Sequence, residues 1–311
     1  MGREVEHPGT EEFGDGVSLD KQASSRLRNS ATASPVRAAE TAPPVAAAAS
    51  MTGGASATGG VAEPLMVDID ALRVAGCIAE ESQGRQFAAQ YREIKRPLIE
   101  AALSGKAGDT SREPQLIMVT SALPGDGKTF ISINLALSMA REGDVSVLLV
   151  DADVQTSRVS EVFGLKPERG LLDALLDETI DVESLIRRTN LPGLCLLPSG
   201  RPVESATELL SSERMQHIAR SLIARHPRRI VLLDSSPLLI TSEARALIKF
   251  AGQVVLVIRA DKTPRRAVQD AVNLFDGHQA VGFVLNQTAT GLTKGYYGYG
   301  YYGTEEGDTT R

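Results

Sequence analysis

Residues 121–129 have the composition of a loop that binds phosphate groups, and they end in Gly125, Asp126, Gly127, Lys128 and Thr129. In the phosphate-loop pattern G-x-x-x-x-G-K-[ST], backbone N–H groups wrap phosphate oxygens, the lysine neutralises the outer phosphates and the hydroxyl binds Mg²⁺. Ala122 replaces the first glycine of the strict pattern. The segment follows a predicted strand and opens a predicted helix, which favours a phosphate site over a glycine-rich turn with an exposed lysine.

Three aspartates follow aliphatic runs further along the chain. Asp151 and Asp153 come after residues 147–150, and Asp234 comes after residues 229–233. Carboxylates at the carboxyl ends of parallel strands lie beside the ligand crevice, where they can bind Mg²⁺ or accept a proton from an incoming hydroxyl. For one of the first two, capping of the following helix is the alternative. Asp234 has the position of the aspartate that holds Mg²⁺ in P-loop proteins.

Five of the six tyrosines stand near the end of the chain, spaced by glycines: Tyr296, Tyr297, Tyr299, Tyr301 and Tyr302. Their hydroxyls are the acceptors that a phosphoryl donor needs. Together with the upstream phosphate loop, they predict an enzyme that carries its own substrate.

Two further polar residues have open interpretations. Glu243 can cap the helix that follows it or act in catalysis. Asn286 can read an adenine edge or form a turn. The predicted nucleotide contacts are therefore Ser121, Leu123, Pro124, Gly125, Asp126, Gly127, Lys128, Thr129, Phe130 and Asn286, and the predicted metal ligands are Thr129, Asp151 and Asp234.

The elements that must position these residues alternate between strands and helices. Strands are predicted at 116–120, 146–150, 194–197, 230–233, 254–258 and 281–285. Helices are predicted at 83–103, 129–141, 207–225, 242–250 and 265–275, with Pro97 implying a kink or two abutting helices. Continuous aliphatic strands joined by helices predict a three-layer α/β/α domain of the P-loop NTPase type, with a mainly parallel sheet covered on both faces.

Composition divides the chain into four parts. Residues 1–78 are rich in small and polar residues and are predicted to be largely disordered. Residues 79–112 form a helical arm, 113–290 the ATP-binding domain and 291–311 a flexible tail. A net charge of −6 argues against a nucleic-acid binder. The absence of an apolar run of about 20 residues predicts a soluble protein. Two isolated thiols, Cys77 and Cys195, fit a reducing cytoplasm.

These motifs together resemble the bacterial protein-tyrosine kinases of polysaccharide export, the BY-kinases. The phosphate loop, the Asp-x-Asp motif at Asp151 and Asp153, the third motif at Asp234, and the tyrosine cluster all match that family's pattern. The resemblance covers about residues 83–302. Within the family, residues 91–98 look most like the autokinases encoded with exosortase-type exopolysaccharide loci.

The resemblance implies a Mg-ATP-dependent kinase that phosphorylates its own tail and regulates exopolysaccharide export. Lys128 stabilises the transferring charge, Thr129 and Asp234 hold the metal with one of Asp151 and Asp153, and the other orients the tyrosine. The implied partners are a membrane-spanning chain-length protein that activates the kinase and recruits it to the inner membrane, other copies of the chain in a ring or dimer, and a tyrosine phosphatase.

Three departures from the family pattern stand out. Gln155 occupies the usual basic position, with Arg158 nearby as a substitute. Ser235, Ser236 and Pro237 stand where the family usually has Thr-Pro-Pro. Ala89 replaces the glutamate that opens the oligomerisation motif, leaving Arg92 and Lys95.

Two rival functions remain open. A partition- or septum-positioning ATPase shares this fold, but it usually has a second lysine early in its phosphate loop, which residues 121–126 lack. The other rival is a non-catalytic binding protein whose tail is a docking peptide.

Overall fold

The computed structural model describes residues 63–74, 76–78, 84–104, 112–165, 168–277 and 279–288 of the 311-residue chain. The predicted disorder before residue 63 and the tyrosine cluster lie outside the described residues.

The described residues form a sheet of seven strands, parallel except at one edge. The strands are β1 (Glu113–Ser121), β2 (Ser146–Ala152), β3 (Arg187–Arg188), β4 (Leu194–Leu197), β5 (Arg229–Ser235), β6 (Ala251–Arg259) and β7 (Ala280–Asn286). Their order is β3-β4-β2-β5-β1-β6-β7, and only β3 runs antiparallel to its neighbour. The predicted fold class, a mainly parallel sheet between helices, is confirmed.

Nine helices accompany the sheet in the described part of the chain. They are α1 (Ile69–Val74), α2 (Gly84–Leu103), α3 (Lys128–Ala140), α4 (Arg158–Val162), α5 (Leu171–Leu176), α6 (Ala206–Leu210), α7 (Glu213–Ala224), α8 (Ser242–Leu247) and α9 (Arg265–Val272). A short 3₁₀ helix lies at Val182–Leu185.

Alternate residues of the central strands supply two separate cores. In β5, Val231 and Leu233 pack with α5 to α9, whereas Ile230 and Leu232 pack with α1 to α4. Every residue of this strand is buried. Because successive side chains of a strand point to opposite faces, a continuous aliphatic run fits a strand that is covered on both sides.

Helix α2 runs unbroken through Pro97. Of the two alternatives predicted for this segment, a kink or two abutting helices, the second is therefore wrong. Its apolar positions recur at helical spacing and are buried, among them Phe87, Tyr91 and Ile94. Lys95 is also buried, and its Nζ lies 2.7 Å from the Ser138 carbonyl oxygen and 2.7 Å from a Glu142 carboxylate oxygen. The lysine thus binds the carboxyl end of α3, where a cation is favourable.

The predicted helix at 207–225 is interrupted after Leu210. Ser212 begins α7, because its side chain accepts a hydrogen bond from the Met215 N–H at 3.2 Å. Such a cap satisfies an N–H that has no partner inside the helix. The sequence pattern did not predict α1, α4, α5 or the two-residue β3.

Residues 63–74 and 76–78 precede α2 and contact the domain, in part at the β3 edge of the sheet. The Leu65 N–H donates to the Arg188 carbonyl at 2.7 Å, and Leu65 forms a parallel bridge with Thr189. Val67 and Leu72 are buried in the core that contains α2. None of the helices among the described residues has the length and apolar character needed to span a membrane.

Candidate nucleotide-binding and phosphoryl-transfer site

The candidate residues meet at the carboxyl edge of the three central strands β2, β5 and β1. Asp151 lies opposite Asp234 in the register of β2 and β5. Val119, two residues before the end of β1, lies opposite Asp234 on the other side. The loop that follows β1 therefore emerges beside both carboxylates. This is the edge at which open α/β sheets bind ligands.

The phosphate loop takes a left-handed backbone at two glycines, Gly125 with φ +83° and Gly127 with φ +91°. Helix α3 begins directly afterwards, at Lys128. A Cβ atom at Gly127 would lie 2.1 Å from the Asn286 amide nitrogen, whereas one at Gly125 would meet nothing within 4 Å. Gly127 therefore permits both the turn and a close approach of β7.

Side chains from β7 and from the segment after β6 hold this loop. The Asn286 Nδ2 donates to the Asp126 carbonyl at 2.9 Å, and Thr263 Oγ1 donates to Asp126 Oδ1 at 2.7 Å. Burial raises the pKa of the Asp126 carboxyl, against the lowering effect of the hydrogen bonds from Thr263 and from the Leu123 N–H. Asn286 is fully buried, and its Oδ1 accepts the Gln287 N–H. Both polar atoms of the Asn286 amide thus form hydrogen bonds to the protein backbone. These contacts favour a structural role of Asn286 in the loop over recognition of the adenine edge.

Lys128 lies beside the first pair of aspartates. Its Nζ is 3.8 Å from Asp153 Oδ2, and both side chains are at least nine-tenths buried. Asp153 Oδ1 accepts a hydrogen bond from Ser236 Oγ at 2.7 Å. Ser236, which departs from the family pattern, thus fixes the carboxylate so that one oxygen faces the lysine.

Asp234 receives two hydroxyl hydrogen bonds from the first turns of α3. Thr129 Oγ1 donates at 2.8 Å and Ser132 Oγ at 2.7 Å, each to a different carboxylate oxygen. Burial raises the pKa of Asp234 to about 7, although Lys128 and the two hydroxyls favour its charged form. Ser132 was not among the site residues predicted from the sequence. Its spacing of three from Thr129 puts both on one helix face and was the available signal.

Asp151 is turned toward α4. Its Oδ2 accepts the Ser160 N–H at 2.8 Å and the Ser160 Oγ–H at 2.6 Å, so the helix-capping alternative describes this residue. Its Oδ1 is buried and has no hydrogen-bond partner among the described residues. Burial raises the pKa of Asp151 to about 6.

An open pocket of about 920 Å³ lies in front of the loop, lined by Lys128, Thr129, Asp153, Gln155, Ile240 and Glu243 among others. Gln155 Nε2 donates to Glu243 Oε1 at 2.8 Å. Hydrogen bonds from Gln155, Ser242 and its own backbone outweigh the effect of burial and lower the pKa of Glu243. The carboxylate is therefore charged at the pocket wall. The neutral Gln155 contacts it where the family usually has a basic residue.

The donor set fits Mg²⁺ bound together with a nucleotide. Among the described residues, no group of three His, Cys, Asp or Glu side chains could hold a metal ion alone. Mg²⁺ in nucleotide sites uses one or two protein oxygens and completes its shell with phosphate and water. The Thr129 hydroxyl and the Asp234 carboxylate, in contact at 2.8 Å, can supply those oxygens. The unpartnered Oδ1 of Asp151 adds an acceptor on the neighbouring strand.

Comparison with known proteins agrees with this geometry. The family model described as an AAA domain matches residues 115–280. Tyrosine-protein kinase YwqD of Bacillus subtilis is 32% identical over 219 residues, which cover 70% of this chain and 86% of that protein. Tyrosine-protein kinase ptk of Acinetobacter johnsonii is 30% identical over 179 residues, 57% of this chain but only 24% of that protein.

Solved structures give the same fold. The kinase domain of the Escherichia coli tyrosine kinase ETK superposes with a TM-score of 0.57 at 24% identity, over 69% of this chain and 80% of that one. The match to YwqD extends over most of that protein. The chain therefore belongs to the family of the bacterial tyrosine-protein kinases.

Proposed function

We propose that this protein is an ATP-dependent tyrosine autokinase that phosphorylates the cluster Tyr296–Tyr302 and thereby regulates exopolysaccharide synthesis and export. The observation that carries the proposal is a direct contact between the phosphate loop and the root of the tail. Asn286, the last residue of β7, donates to the Asp126 carbonyl at 2.9 Å. The segment that bears the tyrosines thus starts beside the nucleotide site.

The phosphates of ATP would lie at the start of α3. There the free N–H groups of the first helical turn and the left-handed glycines favour an anion. Lys128 would neutralise the outer phosphates and the charge that develops during transfer. Mg²⁺ held at Thr129 and Asp234, with Asp151 as a further acceptor, would neutralise phosphate charge.

The remaining steps use this chain's own side chains. The tyrosine oxygen bonds to the γ-phosphorus, the bond from that phosphorus to the bridging oxygen breaks, and ADP leaves. The phenol has a free pKa of about 10, so its proton needs an acceptor near the reacting oxygen. Asp153 is the candidate acceptor, because Ser236 holds its position and its second oxygen faces Lys128 at 3.8 Å.

The tail is long enough to reach a crevice in another subunit as well as its own. Ten residue steps from Asn286 to Tyr296 extend about 33 to 36 Å. Transfer between subunits, in a ring or dimer, is the form we propose. Each added phosphate carries about −1.5 to −2 charges and would disfavour a carboxylate-lined site, which loosens the association.

The proposed setting is the cytoplasmic face of the inner membrane. A membrane-spanning chain-length or co-polymerase protein would recruit and activate the kinase, and a tyrosine phosphatase would reset the tail. No role in nucleic-acid binding is proposed. In the family's oligomerisation motif, Lys95 contacts α3 within its own chain. The exposed Arg92 is therefore the motif residue available for contact with a second copy.

The test is phosphotyrosine formation from labelled ATP and Mg²⁺. Lys128→Met should lower the labelling rate about 100-fold or more, since removal of one group that stabilises transition-state charge costs that much. The control is Lys249→Met, which removes an exposed lysine of the same type away from the pocket. Comparable labelling of Lys128→Met and the control would refute the proposal. Hydrolysis of ATP without any phosphotyrosine would instead support the partition-type ATPase.

Mixing two proteins decides the direction of transfer. One is Lys128→Met with its tyrosines intact, and the other has an intact site with all five tail tyrosines changed to Phe. Label on the Lys128→Met protein demonstrates transfer between subunits. If it stays unlabelled while the unmodified protein labels itself, transfer occurs within one chain.

A further inference from the structure

Exposed basic side chains are concentrated where β6 leads into α9. Lys262, Arg265 and Arg266 are all exposed, and Arg259 just before them is half-buried. Arg266, with 93% of its side chain exposed, approaches Asp270 only at 4.0 Å. Two exposed acidic side chains, Asp261 and Asp270, lie in the same segment as these four basic residues. We call Lys262, Arg265 and Arg266 the basic cluster.

The basic cluster lies next to the point at which the described chain ends. Arg259 is the register partner of Asn286 between β6 and β7, and the Ala260 N–H donates to the Asn286 carbonyl at 2.8 Å. Only Gln287 and Thr288 follow Asn286 among the described residues. Residues 289–311 thus start beside the strand end from which the basic cluster continues.

The charge of that segment depends on phosphorylation. Residues 289–311 contain three acidic residues, Glu305, Glu306 and Asp308, against two basic ones, Lys294 and Arg311. Their side chains nearly balance, so the attraction to a basic surface is weak without modification. One phosphotyrosine adds about −1.5 to −2 charges and three acceptor oxygens, which suit pairing with Arg and Lys.

We propose that the basic cluster is the docking site for the phosphorylated tail of the same chain. Reach permits it: eight residue steps from Thr288 to Tyr296 extend about 26 to 29 Å, and the basic cluster begins three residues after the register partner of Asn286. The first turn of α9 contains no acidic residue that would oppose the phosphate. The inference rests on the proposed function for the origin of the phosphate, but the binding itself needs no kinase activity.

Docking there would keep the product outside the pocket that Lys128 lines, because none of the three residues of the basic cluster is part of its lining. Thr263, within the same turn, donates through Oγ1 to Asp126 of the phosphate loop at 2.7 Å and accepts the Arg259 N–H at 3.0 Å. The turn that carries the basic cluster is therefore hydrogen-bonded to the phosphate loop. A docked phosphotyrosine would be removed from Lys128 and could restrain that loop.

The test measures binding of a synthetic peptide to the full chain in the absence of ATP. The receptor carries Lys128→Met, so that its own tail stays unmodified. The probe is a fluorescent peptide of residues 289–311, either phosphorylated at Tyr299 or unmodified, followed by anisotropy at low and moderate salt. We expect the phosphopeptide to bind at least tenfold more tightly than the unmodified peptide. Charge reversal in the basic cluster (K262E, R265E, R266E) should remove that preference, and added salt should weaken it.

The matched control reverses three exposed arginines elsewhere, Arg141, Arg188 and Arg220, and changes the net charge by the same amount. It should bind the phosphopeptide like the parent. The proposal is overturned if reversal of the basic cluster leaves phosphopeptide binding unchanged, or if the unmodified peptide binds equally well. Vesicles containing anionic lipid provide the remaining outcome. Binding to them through the basic cluster, without binding of the phosphopeptide, would identify a membrane-facing surface and refute tail docking.

Discussion

Replacing Gly127 with alanine should destabilise the protein more than the same replacement at Gly125, and the difference measures the contact between the phosphate loop and β7. Both glycines have left-handed backbone, with φ +91° and +83°. A Cβ atom in that conformation costs about 1–2 kcal/mol at either position. Only at Gly127 would the new methyl group also meet a neighbour, the Asn286 amide nitrogen at 2.1 Å.

The extra cost follows from what Asn286 must give up. To clear the methyl group, its amide has to leave the Asp126 carbonyl, which it now contacts at 2.9 Å in a fully buried position. A buried polar group without its partner costs about 1–3 kcal/mol. We therefore expect a loss of about 2–5 kcal/mol for Gly127→Ala and about 1–2 kcal/mol for Gly125→Ala. The effect of alanine on the unfolded chain is common to both variants and cancels in the comparison.

Urea unfolding gives both numbers, provided that the dependence on urea concentration is the same in all variants. A second background, Asn286→Ala, removes the amide nitrogen that the methyl group would contact. In that background Gly127→Ala should cost no more than Gly125→Ala. Equal losses for the two glycine variants in the unmodified protein would show that the loop does not depend on β7. Simple additivity of Gly127→Ala and Asn286→Ala would show the same.

Three other outcomes can be checked with single substitutions. Ser236→Ala should lower the rate of tyrosine phosphorylation about tenfold with little change in the KM for ATP, because Asp153 loses the hydrogen bond that positions it. A rate equal to that of the unmodified protein would remove Ser236 from the proposed mechanism. Asp173→Asn should lower stability at pH 7. Against the effect of burial, hydrogen bonds from the Gly170 N–H and from Arg201 lower the pKa of Asp173. The stability difference should therefore shrink as pH falls below the usual aspartate pKa of about 3.9. The urea midpoints of both proteins are measured across this pH range. A difference in midpoint that stays constant with pH would contradict the prediction. Tyr91→Phe should leave stability unchanged or raise it, since the buried Tyr91 hydroxyl has no hydrogen-bond partner among the described residues. In this variant the five tail tyrosines are the remaining tyrosine acceptors. A loss of stability above about 1 kcal/mol would reveal a hydrogen bond to that hydroxyl.

The sequence predicted the central strands well because their burial is uniform. For β4, the predicted range 194–197 is the observed one, and β5 differs by only one residue at its start and two at its end. Continuous aliphatic runs define such strands without help from tertiary contacts. The sequence also predicted that Asp151, Asp153 and Asp234 converge, because all three follow predicted strands. The carboxyl ends of parallel strands lie at the same edge of a sheet.

What the sequence did not predict depends on contacts between distant segments. Ser212 caps a new helix inside a continuous helical pattern, and Ser160 donates both of its hydrogen bonds to one oxygen of Asp151. Asn286 binds the phosphate loop from a position 160 residues away in sequence. Side-chain hydrogen bonds of this kind leave no periodic signal, because each depends on how two separate elements happen to be packed.

The described chain enters the sheet at one lateral edge and leaves it at the other. Leu65 pairs beside β3, whereas Asn286 ends β7, six strands away in the order β3-β4-β2-β5-β1-β6-β7. With about 4.8 Å between neighbouring strands, β3 and β7 lie roughly 29 Å apart across the sheet. A polypeptide joined before residue 63 would thus meet the domain at the sheet edge opposite the strand from which residues 289–311 continue. Attachment at the opposite edge fits a domain with relatives of much greater length, such as ptk, of which this chain covers only 24%.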